Sequence, residues 1–189
     1  MKRIAIFASG NGSNAENIIK YFQSNSTIKV DLIASNNPIA KVLTRIKSYN
    51  IPTIVFNKSD LNRGSLLEQL KIKKIDFIVL AGFLWKIPKH LINSYFNKII
   101  NIHPSLLPLY GGKGMYGYNV HEQVFRAKDK ETGITIHFVN EIYDDGVIIF
   151  QAKCSLNNKE TVKKIAKKVH ELELKFYPKI IETILNESN

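Results

Sequence analysis

Short apolar runs alternate with segments of helical spacing through the first half of the chain, and few architectures satisfy that order. Residues 3–8, 30–34, 52–56, 77–80 and 98–102 read as strands. Between them, residues 14–22 carry a helical stripe through Ile18, Ile19 and Phe22. Residues 39–49 read as a second helix and residues 61–73 as a third, through Leu66, Leu67 and Leu70. Residues 88–96 give a fourth, with Pro at its first position. Strands alternating with helices imply a parallel sheet covered on both faces.

The second half changes character. Residues 106–118, rich in Gly, Pro and Tyr, read as a loop, and residues 119–128 as a helix with Asn119 as its cap. In residues 133–139, Ile134, Ile136 and Phe138 alternate with Thr135 and His137, which predicts a half-buried antiparallel strand. Residues 146–154 are its hairpin partner. A long helical pattern fills residues 161–185, and Pro178 is expected to kink or restart it. With no repeat, low-complexity segment or linker, residues 1–189 read as a single domain.

Composition narrows the function classes. The chain has 189 residues, 44% hydrophobic and 23% charged, as in globular domains. No apolar run approaches the roughly 20 residues of a membrane span, so no membrane partner is expected. The basic start and the apolar residues 4–8 raise the question of a signal peptide. The run is too short and leads directly into a glycine turn, so it reads as a first strand. One cysteine, Cys154, excludes an internal disulfide and fits a reducing cytosol, the expected location; it reads as a small apolar strand residue. The net charge of +11 suits an anionic partner. Its cations are scattered, and the densest group, in residues 163–168, has the spacing of a solvated helix face. Solubility and a general pull on anions are therefore favoured over a nucleic-acid footprint, and no nucleic-acid partner is expected.

Two motifs carry the chemistry. Ser9-Gly10-Asn11-Gly12-Ser13-Asn14 lies between a strand and a helix, where free backbone N–H groups attract an anion. Ala15 stands where a dinucleotide fingerprint has its third Gly, and the second strand ends in Ser35-Asn36-Asn37 without a carboxylate for a ribose. One terminal phosphate fits this loop better than a dinucleotide. The second motif, Asn101-Ile102-His103-Pro104-Ser105-Leu106-Leu107-Pro108, sits at a strand exit. Residues two apart on a strand share a face, so Asn101 and His103 look into one space. An amide donor beside a titratable ring suits a reaction that builds charge on a carbonyl oxygen and moves a proton. Asp144, in the turn Tyr143-Asp144-Asp145-Gly146, is a candidate partner for His103, while Asp145 reads as a turn former. His137 is left open between site and solvent. His90, His121 and His170 lie on helices without metal-ligand partners at a convincing spacing, so no metal centre is expected.

With these residues in view, the chain resembles the folate-dependent formyltransferases. The carriers are SGNGSN (9–14), AGF (81–83), NIHPSLLP (101–108), TGITIHFV (132–139) and DDG (144–146), in order along almost the whole chain. NIHPSLLP marks the wider group; SGNGSN narrows it to the branch acting on glycinamide ribonucleotide. The resemblance implies a Rossmann-like α/β fold: a mostly parallel central sheet flanked by helices, an antiparallel C-terminal strand pair and a long C-terminal helix. It implies an N-terminal half that binds the ribonucleotide and a C-terminal half that binds folate and carries catalysis. In such enzymes the amine of glycinamide ribonucleotide attacks the formyl carbon of 10-formyltetrahydrofolate, in purine synthesis. By position, Asn101 binds the formyl oxygen, His103 is the acid/base and charge stabiliser, and Asp144 supports it. Gly12, Ser13 and Asn14 match the phosphate loop, and Glu173 the carboxylate for the glycinamide part. Leu84, Trp85, Lys86 and Ile87 match the pterin-pocket segment. Asn140, Glu141, Ile142, Tyr143 and Asp144 match the folate loop, and Arg63 a basic residue for the folate tail. No metal is implied, and a monomer or weak homodimer is expected.

Three departures stand out. Trp85 replaces a common Arg, Asp145 replaces a common Gly, and residues 110–117 form a longer loop whose Lys113 is placed to bind phosphate or to ride on a mobile lid. The rivals are formyltransferases acting on methionyl-tRNA, formyltetrahydrofolate hydrolases, and a non-enzymatic nucleotide-binding module. The first two normally carry an extra domain. The last gives no reason for Asn101, His103 and Asp144 together.

Overall fold

The computed structural model describes residues 1–157 and 159–187. Seven strands form one sheet in the order β3-β2-β1-β4-β5-β6-β7. They are β1 (Lys2–Phe7), β2 (Ile28–Ser35), β3 (Thr53–Val55), β4 (Phe77–Leu80), β5 (Ile99–His103), β6 (Glu131–Phe138) and β7 (Ile148–Ser155). The first five pair in parallel, and β5-β6 and β6-β7 are antiparallel. The helices are α1 (Ser13–Phe22), α2 (Lys41–Arg45), α3 (Lys58–Arg63), α4 (Ser65–Ile72), α5 (Lys89–Ser94), α6 (Tyr118–Ala127) and α7 (Val162–Glu187).

The central strands are apolar on both sides because both sides are covered. Ile4, Ile6 and Val79 pack with Ile18 of α1 and Val169 and Ile181 of α7. Ala5, Phe7 and Ile78 face the opposite way, against Leu66 and Leu70 of α4 and Leu91 of α5. Each fully buried side chain of this size contributes about 1.5–3 kcal/mol. No helix among the described residues is long and apolar enough to cross a membrane.

The structure corrects four local expectations. The single helix over 61–73 is two helices, parted at Gly64, whose φ of 92° no helix accommodates. The first of them starts earlier, because Asn57 and Asp60 form a reciprocal capping box. Residues 39–49 hold only the short α2 and a 3₁₀ turn (Lys47–Tyr49). Asn119 lies inside the first turn of α6, and Gly117 occupies the cap position. β6 is not half-buried: Thr135 and His137 are as enclosed as Ile134 and Ile136. The loop after β5 covers that side, and Thr135 Oγ1 donates to the Ser105 carbonyl at 2.7 Å and accepts from Leu107 N–H at 2.9 Å.

Of the two outcomes expected at Pro178, a kink or a restart, the helix shows no restart; α7 runs through it. A proline withdraws the N–H that the carbonyl four residues earlier would accept. That carbonyl, on Leu174, accepts instead from Asn17 Nδ2 at 2.8 Å. α1 therefore repairs the one ladder bond that the sequence of α7 removes.

Candidate active site

The chain lays β1, β2 and β3 outward in one direction, then returns to place β4 on the other side of β1. The crevice at this reversal, beyond the carboxyl ends of β1 and β4, is where such sheets bind ligands. A cavity of about 800 Å³ opens there, with walls that include Ser13, Asn14, Asn101, His103, Asp144 and Glu173. Its size is that of a small-molecule site.

The phosphate-type loop forms its first wall. Gly12 has φ 76°, and a Cβ there would lie 2.6 Å from Val42 Cβ, so only glycine allows the turn and the close approach of α2. Gly12 thus shapes the loop, while Gly10, Asn11, Ser13 and Asn14 line the cavity. Ser9 Oγ donates to Asn36 Oδ1 at 2.7 Å and accepts from Leu84 N–H at 3.0 Å, which fixes the loop after β4 against the loop after β1. Asn14 Nδ2 donates to Glu173 Oε2 at 2.8 Å, and His170 Nδ1 lies 2.8 Å from the same oxygen. The Glu173 carboxylate holds the His170 ring above the ordinary histidine value.

The strand ends supply the second wall. β5 continues through His103, and in the antiparallel register Asn101 faces His137 and His103 faces Thr135. Asn101 Nδ2 is 3.2 Å from His137 Nε2 and 3.5 Å from Asp144 Oδ1. His137 Nδ1 is 2.8 Å from the Phe138 carbonyl, and its Nε2, besides the Asn101 contact, is 3.7 Å from Asp144 Oδ1. His103 is 3% exposed. Its Nδ1 is 3.5 Å from Asp144 Oδ2, and its Nε2 donates to the Tyr110 carbonyl at 2.7 Å. Burial pushes the His103 ring below the ordinary value, and the Asp144 charge and Tyr110 carbonyl offset only part of that. Burial alone would raise the Asp144 carboxyl; the His137 and His103 rings and the Gly112 N–H outweigh it and hold it below the usual carboxylate range. The site therefore pairs an ionised carboxylate with a ring biased towards its neutral form.

Asp144 reaches this place because its turn is tightly defined. It adopts φ 54°, its Oδ2 accepts from Gly112 N–H at 3.0 Å, and a Cβ on Gly146 would lie 1.7 Å from the Phe138 carbonyl. The left-handed residue is thus Asp144, while Asp145 Oδ2 accepts from Asn140 Nδ2 at 3.3 Å and stays exposed.

The structure brings Asn101, His103, Asp144, Ser13, Asn14, Glu173, Leu84 and Tyr143 to one cavity. Other sequence candidates lie outside its wall. Trp85 packs edge-on against Phe56, with Lys58 Nζ 5.6 Å from its ring centre, and Ile87 is in the core. Lys86 and Arg63 are exposed. Asn140 accepts from Ile142 N–H at 2.8 Å, and Glu141 pairs with Lys89 at 3.0 Å, in the stretch just before the lining residue Tyr143. Three histidines gain places that sequence reasoning left open or passed over. His137 faces the site, and His121 and His170 line the cavity. The only signal for His137 was its polar position on an alternating strand; His121 and His170 share a wall that no local spacing shows.

Comparison with known proteins identifies the family. A family model described as formyl transferase matches residues 2–181. The phosphoribosylglycinamide formyltransferase of Bacillus subtilis is 39% identical over 195 residues, covering 100% of this chain and 97% of the relative. That of Haemophilus influenzae is 34% identical, covering 96% and 86%. The crystal structure of the Bacillus halodurans phosphoribosylglycinamide formyltransferase superposes with a TM-score of 0.89 at 36% identity, covering 100% and 97%.

Proposed function

We propose that this chain, which belongs to the formyl transferase family, transfers the formyl group of 10-formyltetrahydrofolate to the amine of glycinamide ribonucleotide in purine synthesis. The carrying observation is the placement of Asn101, His103 and Asp144 beside Asn14 and Glu173 in one cavity. The cavity has room for the reacting parts of both substrates, and its Phe83 and Leu84 offer an apolar surface to a flat heterocycle.

10-Formyltetrahydrofolate supplies the electrophilic formyl carbon. Asn101 has two amide N–H groups; one contacts His137, and the other, with only a 3.5 Å contact to Asp144, is available to the formyl oxygen. A donor placed where an oxyanion grows lowers the barrier by about 3 kcal/mol. His103, neutral before reaction, carries a lone pair on Nδ1 because Nε2–H is committed to the Tyr110 carbonyl. It accepts the proton that the attacking amine loses, and the ionised Asp144 stabilises the charged ring. The returning proton completes departure of the folate nitrogen.

Ser13, Asn14 and the N–H groups at the start of α1 hold the phosphate, with Gly12 shaping their turn. Glu173 holds the glycinamide part by its cationic amine, which sheds one proton to solvent before it attacks as the neutral base. Tyr143 and Leu84 contact the folate, residues 140–142 frame its entry, and Arg63 and residues 85–87 support that side from outside the wall. Both ligands are small molecules met in the cytosol.

The test is formyl transfer from 10-formyltetrahydrofolate to glycinamide ribonucleotide by wild type and His103→Ala. Loss of about 10²–10⁴-fold in the variant is expected. Absence of transfer by folded wild type, or full activity in the variant, overturns the reading.

A further inference from the structure

Tyr110 makes two hydrogen bonds, one to His103 and one to Asp129. Its backbone carbonyl accepts from His103 Nε2 at 2.7 Å, and its hydroxyl donates to Asp129 Oδ2 at 2.7 Å. Its φ is 56°, a left-handed conformation that a bulky L residue adopts only when its surroundings hold it there. Burial, reinforced by the Asp129 charge, pushes the Tyr110 hydroxyl up to about 12, so it remains a donor throughout the working pH range.

A carbonyl can only accept, so it calls for the proton of a neutral His103 on Nε2. That commitment turns Nδ1 towards Asp144, at 3.5 Å. Ionised Asp144 can also only accept, so the two acceptors compete for the one proton, and the Tyr110 carbonyl, at 2.7 Å against 3.5 Å, takes it. We propose that Tyr110 is a positioning residue for His103: its carbonyl selects the ring nitrogen that carries the proton, and its hydroxyl, anchored on Asp129, keeps that carbonyl in place. Asp129 lies just past α6 and borders a second, smaller cavity with Arg126 and Lys128, outside the wall of the first. The catalytic ring is thereby tied to a residue outside its own cavity.

The inference rests on the reading of His103 as the proton-handling group, but its test does not require turnover. The charged and titratable groups facing the ring are Asp144 from the β6–β7 turn, His137 from β6, His121 from α6 and Glu173 from α7. All of them are unchanged in Tyr110→Phe. Ring ¹⁵N shifts of His103 should report an Nε2–H tautomer in wild type and a mixture of tautomers in Tyr110→Phe. The ring's apparent pKa should fall in the variant, because a firmly held carbonyl favours the protonated ring. kcat should fall about 10-fold with both KM values little changed. Asp129→Leu should reproduce these effects, and Asp129→Asn, which keeps an acceptor oxygen, should restore them. The Asp129 pair carries the test if Tyr110→Phe does not fold. A wild-type tautomer and pH profile in the folded Phe or Leu variant overturns the proposal, whatever happens to melting temperature. Failure of wild type to formylate, with the tautomer shift present, would overturn the functional reading and leave this one standing.

Discussion

Asn14 on α1 and Glu173 on α7 are joined by a 2.8 Å hydrogen bond across 159 residues of chain. The bond and the His170 contact both fall on Oε2, which leaves Oε1 as the oxygen available to a cationic substrate group. Glu173 is therefore oriented before substrate arrives. One turn along α1, Asn17 makes the second tie, to Leu174.

Glu173→Gln should raise KM for glycinamide ribonucleotide about 10–100-fold and leave kcat nearly unchanged, because a charge-assisted hydrogen bond contributes about 1.5–3 kcal/mol. Steady-state kinetics with the folate saturating checks this. A fall in kcat at constant KM would place Glu173 in the chemical step instead.

Lys113 is the only Lys or Arg among the described residues of the cavity wall, and its loop is fastened to Asp144 through the Gly112 N–H at 3.0 Å. Lys113→Ala should raise KM for the ribonucleotide about 10-fold and weaken the salt dependence of binding. A substrate analogue lacking the phosphate should show no difference between wild type and variant. Equal losses with both compounds would exclude a phosphate contact.

His121 is buried, and its Nδ1 has no hydrogen-bonding partner among the described residues. Burial lowers its affinity for a proton in the fold, below the ordinary value of 6.5. The unfolded chain then binds more protons than the fold, so stability rises with pH through this window. Its contribution is complete above 6.5 and is lost as pH falls towards the depressed value. His121→Gln should flatten the stability profile below pH 6.5, measured by urea unfolding at several pH values. An unchanged slope would show that the fold does not alter the proton affinity of His121.

Asn17→Ala should destabilise the fold by about 1–3 kcal/mol, because it leaves the Leu174 carbonyl inside a helix contact without a donor. In a Pro178→Ala background, residue 178 regains an N–H that can serve this carbonyl, so the same substitution should cost less. The coupling is read from a double-mutant cycle of unfolding free energies. Additive losses would mean that the Asn17 bond does not compensate for the proline.

Much of this architecture was legible locally. The alternation of apolar runs and helical stripes announced a parallel sheet covered on both faces. Pairing Asn101 with His103 needed only the two-residue repeat of a strand, and the glycine turn at 9–14 needed only the rarity of positive φ. Breaks such as Gly64 were visible as residues, yet the leucines on either side masked them with a continuous stripe. Pro178 misled for the opposite reason: the rule for proline is local, and its remedy, Asn17, lies on another helix.

Local sequence settled the order of strands and helices and which polar side chains leave a strand together, but not where the second and third helices begin and break. These follow from backbone sterics and periodicity, which act over a few residues. Tertiary structure alone decided that β6 lies antiparallel beside β5, so that His137 faces Asn101, and that the turn after β6 carries Asp144 to within 3.5 Å of His103. It also chose the Tyr110 carbonyl as the partner that sets the proton on His103. Such contacts depend on sheet order, register and loop closure, and no residue's immediate neighbours encode them.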